Sequence, residues 1–452
     1  MRGAALLTCV AASALAVPAA VHAEPVMLIS IDGLRPGDVI EAEKRGLKLP
    51  NLTRFLKDGA YASGVVGVLP TVTYPSHTTL LTGASPSRHG IVSNYAFDPT
   101  LINQAGWFWY ATDIKLPTLW DVAAKAGYKV ANVHWPVSVG ARGVAWNLPQ
   151  YWRTGHPDDA KLMDALSTPG LVAQLEADTG KTYVQGIDES VAGDENRGDF
   201  AVAMVKRYKP GFVTVYLTAL DHEQHAQGPG SDKAKAILEE IDGIVGRLVA
   251  AERATHPDSV IAVASDHGFS NITTDVNLFA PFIQAGLITL GADGKVKSWD
   301  AVPWPSGGSA AVVLARPDDA ALTARVRNLL ARLKADPANK IATIAERPQI
   351  AAMGGMPQAS FFLDMAPDAS TVGPTSPPVG PSGSKGTHGY FPASPLMRST
   401  FLIMGPGVAA GKNLGEIDMR TIAPTLAAAL KTTLPTADLP PLDLKPGAAP
   451  KR

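Results

Sequence analysis

The chain has 452 residues and a formal net charge of −1, with 40 Lys and Arg against 41 Asp and Glu, and 46% of its residues are hydrophobic. That balance gives no electrostatic reason for bulk nucleic acid or an anionic membrane as partner, and the apolar content supports a large buried core. The only cysteine, Cys9, falls near the start of the chain, which excludes an internal disulfide framework and leaves size to supply stability.

At the N-terminus, Arg2, an apolar stretch over 4–17 and Val21-His22-Ala23 before Glu24 read as a secretory signal peptide, 1–23, implying export to a periplasm. An apolar run at 26–31 then stops at Asp32. The stretch 62–69 reads as a strand, and a turn at Pro70 leads to a helix with Pro75 in its first turn and Gly83 at its stop. A second apolar run, 212–220, stops at Asp221, and His225 follows four positions later on the same helical face. A third, 260–264, stops at Ser265-Asp266-His267. Helical stretches at 118–126, 233–251 and 320–335 alternate with these runs and predict an α/β/α layering around a mostly parallel sheet. A smaller subdomain is expected at about 275–385 within one large domain over 24–435, ending in a mobile Pro-, Gly- and Ser-rich loop at 373–386 ahead of His388. A strand at 401–404, a last helix at 418–430 and a disordered Pro-rich tail at 436–452 complete the reading.

Buried strands have no use for a charge, whereas strand ends facing a crevice bind ligands in open α/β sheets. Three such ends bearing Asp32, Asp221 and Asp266, joined by His225, His267 and His388, suggest a shared cation site. Three Asp and three His with no thiolate could give two divalent ions three protein ligands each and leave positions open for substrate. Thr73, just before a helix start, would face unpaired N–H groups and the positive end of the helix dipole, which favours an alkoxide or a phosphate; capping the helix is the alternative role.

The blocks Ile31-Asp32-Gly33, Thr73-Tyr74-Pro75-Ser76-His77 with Thr82-Gly83, Pro86, His89-Gly90-Ile91 leading to Asn94, Trp135-Pro136, Asp221 with His225, Ser265-Asp266-His267-Gly268 and Gly386-Thr387-His388-Gly389 occur in this order. With them the chain resembles the nucleotide pyrophosphatase/phosphodiesterases (type I phosphodiesterases) of the alkaline phosphatase superfamily, in their bacterial form. The resemblance implies an alkaline phosphatase-like α/β/α sandwich and two zinc ions per chain. It implies that Asp221, His225 and His388 hold one ion, and that Asp32, Asp266 and His267 hold the other with Thr73 as the activated nucleophile. Asn94 would bind a phosphoryl oxygen, Tyr74 would stack on a nucleobase, and Tyr151 or Trp152 would be the second stacking aromatic. A phosphate diester or nucleotide is the implied substrate, cleaved through a covalent phospho-threonine.

The chain departs from the family where Tyr74 and Ser76 replace Phe and Asn, and where Gln224 stands in place of Gly before His225. Sulfatase chemistry is excluded because Ala84 occupies the convertible position ahead of Pro86-Ser87-Arg88. A phosphomonoesterase, with Arg142 and Arg153 near the site, and a phosphonate hydrolase remain as alternatives, as does a non-enzymatic metal-binding or scaffold protein. The sequence leaves the oligomeric state open.

Overall fold

Strands covered by helices on both sides must be apolar on both faces, which explains the unbroken apolar runs of this chain. The computed structural model describes residues 24–100, 102, 106–151 and 155–445. Its strands include β1 (Val26–Ile31), β2 (Ala60–Tyr61), β3 (Val130–Val133), β4 (Trp146–Leu148), β5 (Phe212–Leu217), β6 (Val260–Ala264), β7 (Ala301–Pro305), β8 (Ser309–Leu314), β9 (Ile341–Glu346), β10 (Ala359–Met365), β11 (Phe401–Met404) and β12 (Lys412–Asn413). The central sheet has eight strands in the order β12-β2-β11-β6-β1-β5-β3-β4. β1 lies at its middle, parallel to β5 and β6, with Val26 opposite Phe212 on one side and Val260 on the other. Only β11 runs antiparallel to its neighbours β6 and β2.

Side chains of β1 alternate between two cores, as the period of a strand requires. Met27, Ile29 and Ile31 pack with Phe200 and Met204 of helix Val191–Tyr208 and Ile241 and Ile244 of helix Asp232–Thr255. Val26 and Leu28 pack toward Leu80 and Leu81 of α1 (Thr73–Thr82) and toward Ile422 and Leu426 of helix Ile422–Ala429. The result is the α/β/α sandwich expected. Between β6 and β11 the chain builds a second, antiparallel sheet in the order β7-β8-β10-β9, with its own apolar cluster around Phe282, Val312, Val326 and Phe361.

Three expectations change. The 62–69 strand is reduced to short pairings at Ala60–Tyr61 and Gly64–Val66. The 373–386 loop is pinned by the strand Val379–Pro381, which pairs with Thr274–Val276, and by Asn277, whose amide donates to Ser376 O at 2.7 Å. The tail expected to be disordered from 436 is docked over 436–445: Leu442 and Leu444 lie on the second core, and Asp438 accepts from Ser85 N at 2.9 Å while pairing with Arg88. Its leucines find an apolar seat that composition alone does not reveal. Residues 1–23 and 446–452 lie outside the described residues, and with them the segment expected to be a leader. Among the described residues no helix is long and apolar enough to cross a membrane.

Candidate active site

Asp32 and Asp266 sit just beyond the carboxyl ends of neighbouring β1 and β6, buried to 3% and 0% exposure. Asp266 Oδ1 accepts from Gly33 N at 3.1 Å, and Asp32 accepts from the Tyr216 hydroxyl. Gly33 has φ 67°, a left-handed turn that brings its N–H round to Asp266, a conformation open to glycine. Asp221 is reached differently from the sequence expectation. β5 ends at Leu217, and Asp221 lies in the first turn of helix Ala219–Gln227, with His225 one turn on. Gln224, the departure from the family's glycine, donates from Nε2 to Gly33 O at 2.9 Å and ties this helix to the β1 turn.

The three histidines share one device. His225 Nδ1 is 3.0 Å from Gly386 O, His388 Nδ1 is 3.0 Å from Thr71 O, and His267 Nδ1 is 3.1 Å from Gly268 O. Carbonyls only accept, so each Nδ1 carries the proton and each Nε2 lone pair is turned inward. His225 Nε2 reaches 3.4 Å from Asp221, and His388 Nε2 reaches 3.7 Å from the same carboxylate. His267 Nε2 lies 3.3 Å from Asp32 and 3.1 Å from Asp266. The rings of His267 and His388 stack at 3.5 Å, 9° from parallel.

Donor atoms of Asp221, His225 and His388 all lie within 4.8 Å of one another, as do those of Asp32, Asp221 and His267. The expected six are therefore together, with Asp221 close to both groups and Asp266 against His267. Asp32 Oδ1, Asp221 Oδ1, Asp266 Oδ2 and His267 Nε2 are buried without a protein hydrogen-bond partner. Such a knot of acceptors is stabilised by a cation and little else, so the residues fit a divalent pair of the kind that oxygen and imidazole donors hold. The electrostatics agree. Burial, then the neighbouring Asp266, raises Asp32 well above the carboxylate range, and burial, then Asp32, does the same to Asp221. Burial also lowers His388 to about 3 and holds His267 well below its ordinary value, keeping both rings neutral and able to ligate.

Thr73 opens α1 as its first helical residue, one position inside the cap Val72, and lines one cleft of about 240 Å³ with Asp32, Asp221, His225 and His388. Behind it, His77 Nδ1 donates to Thr73 O at 2.8 Å while its Nε2 meets Ser30 Oγ at 2.8 Å, locking the first turn to β1. Tyr74 N donates to Asn94 Oδ1 at 2.9 Å. An N–H can face only the amide oxygen, so Asn94 is oriented by the residue after Thr73 and its NH₂ is left for the cleft it lines.

The aromatic expectations are corrected. Tyr74 is fully buried, packed against Trp107 at 5.2 Å, and Tyr151 is fully buried with its hydroxyl donating to Asp159 O at 2.9 Å. Neither offers a face to a base; both satisfy the core, a role that an aromatic in a motif shares with stacking. Trp152 lies outside the described residues. Tyr95 and Trp107 line the cleft instead. Sequence reasoning also missed Glu189, which lines the cleft and sits 3.3 Å from His222, and Tyr216 beneath Asp32. No motif surrounds Glu189, and Tyr216 reads as one more strand residue.

A family model described as type I phosphodiesterase/nucleotide pyrophosphatase matches residues 26–362. The chain belongs to this family. It is 26% identical over 262 residues to human ectonucleotide pyrophosphatase/phosphodiesterase family member 1, covering 56% of this chain and 24% of that protein. A venom phosphodiesterase of Macrovipera lebetinus is 24% identical over 279 residues, 59% of this chain and 28% of the relative. The chain thus spans about a quarter of the length of these curated type I phosphodiesterases. In fold it is similar to human ectonucleotide pyrophosphatase/phosphodiesterase 5, with a TM-score of 0.64 at 18% identity over 91% of this chain and 96% of that one. A structure of the murine counterpart, inactive and in complex with AMP, has the same TM-score at 17% identity, covering 93% of this chain and 97% of that one.

Proposed function

We propose that this family member is a zinc-dependent phosphodiesterase or nucleotide pyrophosphatase that works through a phospho-threonine. One observation carries the reading: Thr73 lies at a helix N-terminus in the same cleft as the converging Asp and His donors. Asp221, His225 and His388 would hold one zinc ion, and Asp32, Asp266 and His267 the other beside Thr73. Bound there, the pair would supply Lewis acidity at phosphoryl oxygens and lower the pKa of nearby hydroxyl and water.

Thr73 Oγ1 forms a bond to phosphorus as the bond to the leaving oxygen breaks, its proton passing to solvent and the leaving oxygen taking one up. Water then attacks the phospho-threonine, the Thr73 oxygen departs from phosphorus, and the hydroxyl is restored. Asn94 donates its NH₂ to a non-bridging oxygen, held in place by Tyr74 N. No Lys or Arg is among the described residues lining the cleft, which favours a singly charged diester over a doubly charged monoester. Nucleotide-type diesters or anhydrides are the substrate class proposed, supported by the family and by the AMP complex of the murine relative. The periplasm is the proposed site of action, on the strength of the 1–23 leader.

The test is zinc readdition to chelated protein with bis-p-nitrophenyl phosphate and p-nitrophenyl phosphate as substrates, beside Thr73→Ala. Diester turnover should return with zinc, exceed monoester turnover and fall at least about 10³-fold in the variant. Faster monoester turnover would replace this reading with a phosphatase, and zinc-dependent turnover of neither would replace it with a binding role.

A further inference from the structure

We infer that a second chamber, adjoining the cleft, is a subsite for an uncharged aromatic or apolar group esterified to the phosphorus. This rests on the phosphodiesterase reading above. The chamber encloses about 310 Å³ and is walled chiefly by Phe97, Phe279, Trp304 and Pro374. It adjoins the cleft that contains Thr73 and His388, with Tyr95, Pro305 and Gly307 lining both, which places it beside a molecule whose phosphorus is at Thr73.

A glycine stands at the boundary of the two cavities. Gly307 has φ +69°, and a Cβ there would stand 2.5 Å from His388 O and 3.0 Å from Thr387 Oγ1. Any side chain would push against the backbone that presents a proposed metal ligand. The walls are held by ring contacts: Phe97 lies 5.1 Å from Trp304 in a tilted pair and 5.9 Å from Trp299 edge-on, and Tyr95 meets Trp107 edge-on at 5.1 Å. Tyr95 is nevertheless 38% exposed, an aromatic surface left open at the junction. Aromatic walls of this kind gain most from a planar or apolar occupant.

Charge sets the other limit. Among the described residues of the lining the charged one is Asp98, an acid, whose carboxylate accepts from Thr100 N at 2.9 Å. Aromatic walls beside the cleft suit esters in which the apolar group begins at the oxygen bonded to phosphorus.

Calorimetric binding of phenylphosphonate and methylphosphonate to the zinc-loaded full chain tests this. Both carry one substituent on phosphorus through a bond the proposed chemistry does not cleave. The phenyl compound should bind roughly 10- to 100-fold more tightly, as burial of one ring predicts. Two variants probe the walls. Gly373→Trp fills the chamber from a position where an added Cβ meets no atom within 4 Å, and Phe97→Ala removes a wall. Each should reduce the phenyl preference to within about threefold while methylphosphonate binding stays at the wild-type level, which also shows that the variants fold. A preference unchanged in both variants, or no binding of either phosphonate, overturns the subsite. Bis-p-nitrophenyl phosphate turnover by the same wild-type preparation separates the two claims. Turnover with an unresponsive preference removes the subsite alone, and a responsive preference without turnover removes the hydrolytic reading alone.

Discussion

The backbone N–H of Thr218 lies 2.9 and 3.1 Å from the two carboxylate oxygens of Asp194. Ala219 N joins them at 2.9 Å, so Asp194 serves the N-terminus of the helix that carries Asp221 and His225. Asp194 and its ion-pair partner Arg197 are both fully buried, and Arg197 also donates to Thr218 Oγ1 at 2.7 Å. The candidate metal helix is therefore anchored by a buried charge pair on the preceding helix.

Asp194→Asn leaves Arg197 buried without its counter-charge and should lower unfolding free energy by about 3–5 kcal/mol. Zinc affinity should fall as well, because the helix start is released. Denaturant unfolding and zinc competition against a chelator measure the two effects. A wild-type midpoint would show that the pair does not hold this helix.

Asn94→Ala removes the oriented amide and should lower kcat/KM for a diester about 10²–10³-fold, with folding intact. Asn94→Asp can still accept from Tyr74 N but presents charge to the phosphate, and should be worse than Ala. Equal activity of the three proteins would remove Asn94 from the chemistry.

Metal removal should cost stability, since the clustered carboxylates then face one another. Zinc at about 100 times its Kd should restore about 2.7 kcal/mol per site. Burial raises Asp266 to about 7, so the metal-free wild type loses stability as pH rises toward that value. Asp266→Asn should accordingly be more stable than metal-free wild type at pH 8, yet gain less from zinc. Thermal melts with and without zinc check both signs, and a metal-free variant less stable than wild type would contradict them.

His89 gives a pH prediction away from the ligands. Ile91 N donates to its Nδ1 at 3.2 Å, its Nε2 lies 3.1 Å from Thr79 Oγ1, and burial lowers it to about 3. Its folded value lies below the unfolded one near 6.5, so the unfolded state binds the extra proton first. Stability due to this ring is intact above about 6.5 and is lost as pH falls toward about 3, at up to about 1.4 kcal/mol per pH unit. The stability difference between wild type and His89→Gln should shrink over that window. A difference that does not change between pH 7 and 4 would refute it.

Much of this was legible from residues alone, for a physical reason. Strands buried on both faces must be apolar throughout, so the aspartates beyond 26–31 and 260–264 stood out, and a four-residue spacing put His225 with Asp221. The helix ending at Gly83 was legible because its αL stop, φ 65°, suits glycine. What failed was direction. Tyr74 sits one residue beyond Thr73 in the chain, yet it points into the core, and a motif does not encode which way a helix's first turn faces. Gln224 shows the same limit from the other side, since its bond to Gly33 O spans 191 positions that no local pattern connects.

The inward set of the imidazoles depends on the carbonyls of Thr71, Gly268 and Gly386, not on any side chain. No single substitution elsewhere can delete those acceptors, because every residue type supplies a carbonyl. Apart from Gly307, where a side chain would press on His388 O, the walls around the cleft are therefore free to diverge while the histidines keep their orientation. In such an architecture selectivity can evolve one wall residue at a time, and a new substrate need not put the older chemistry at risk.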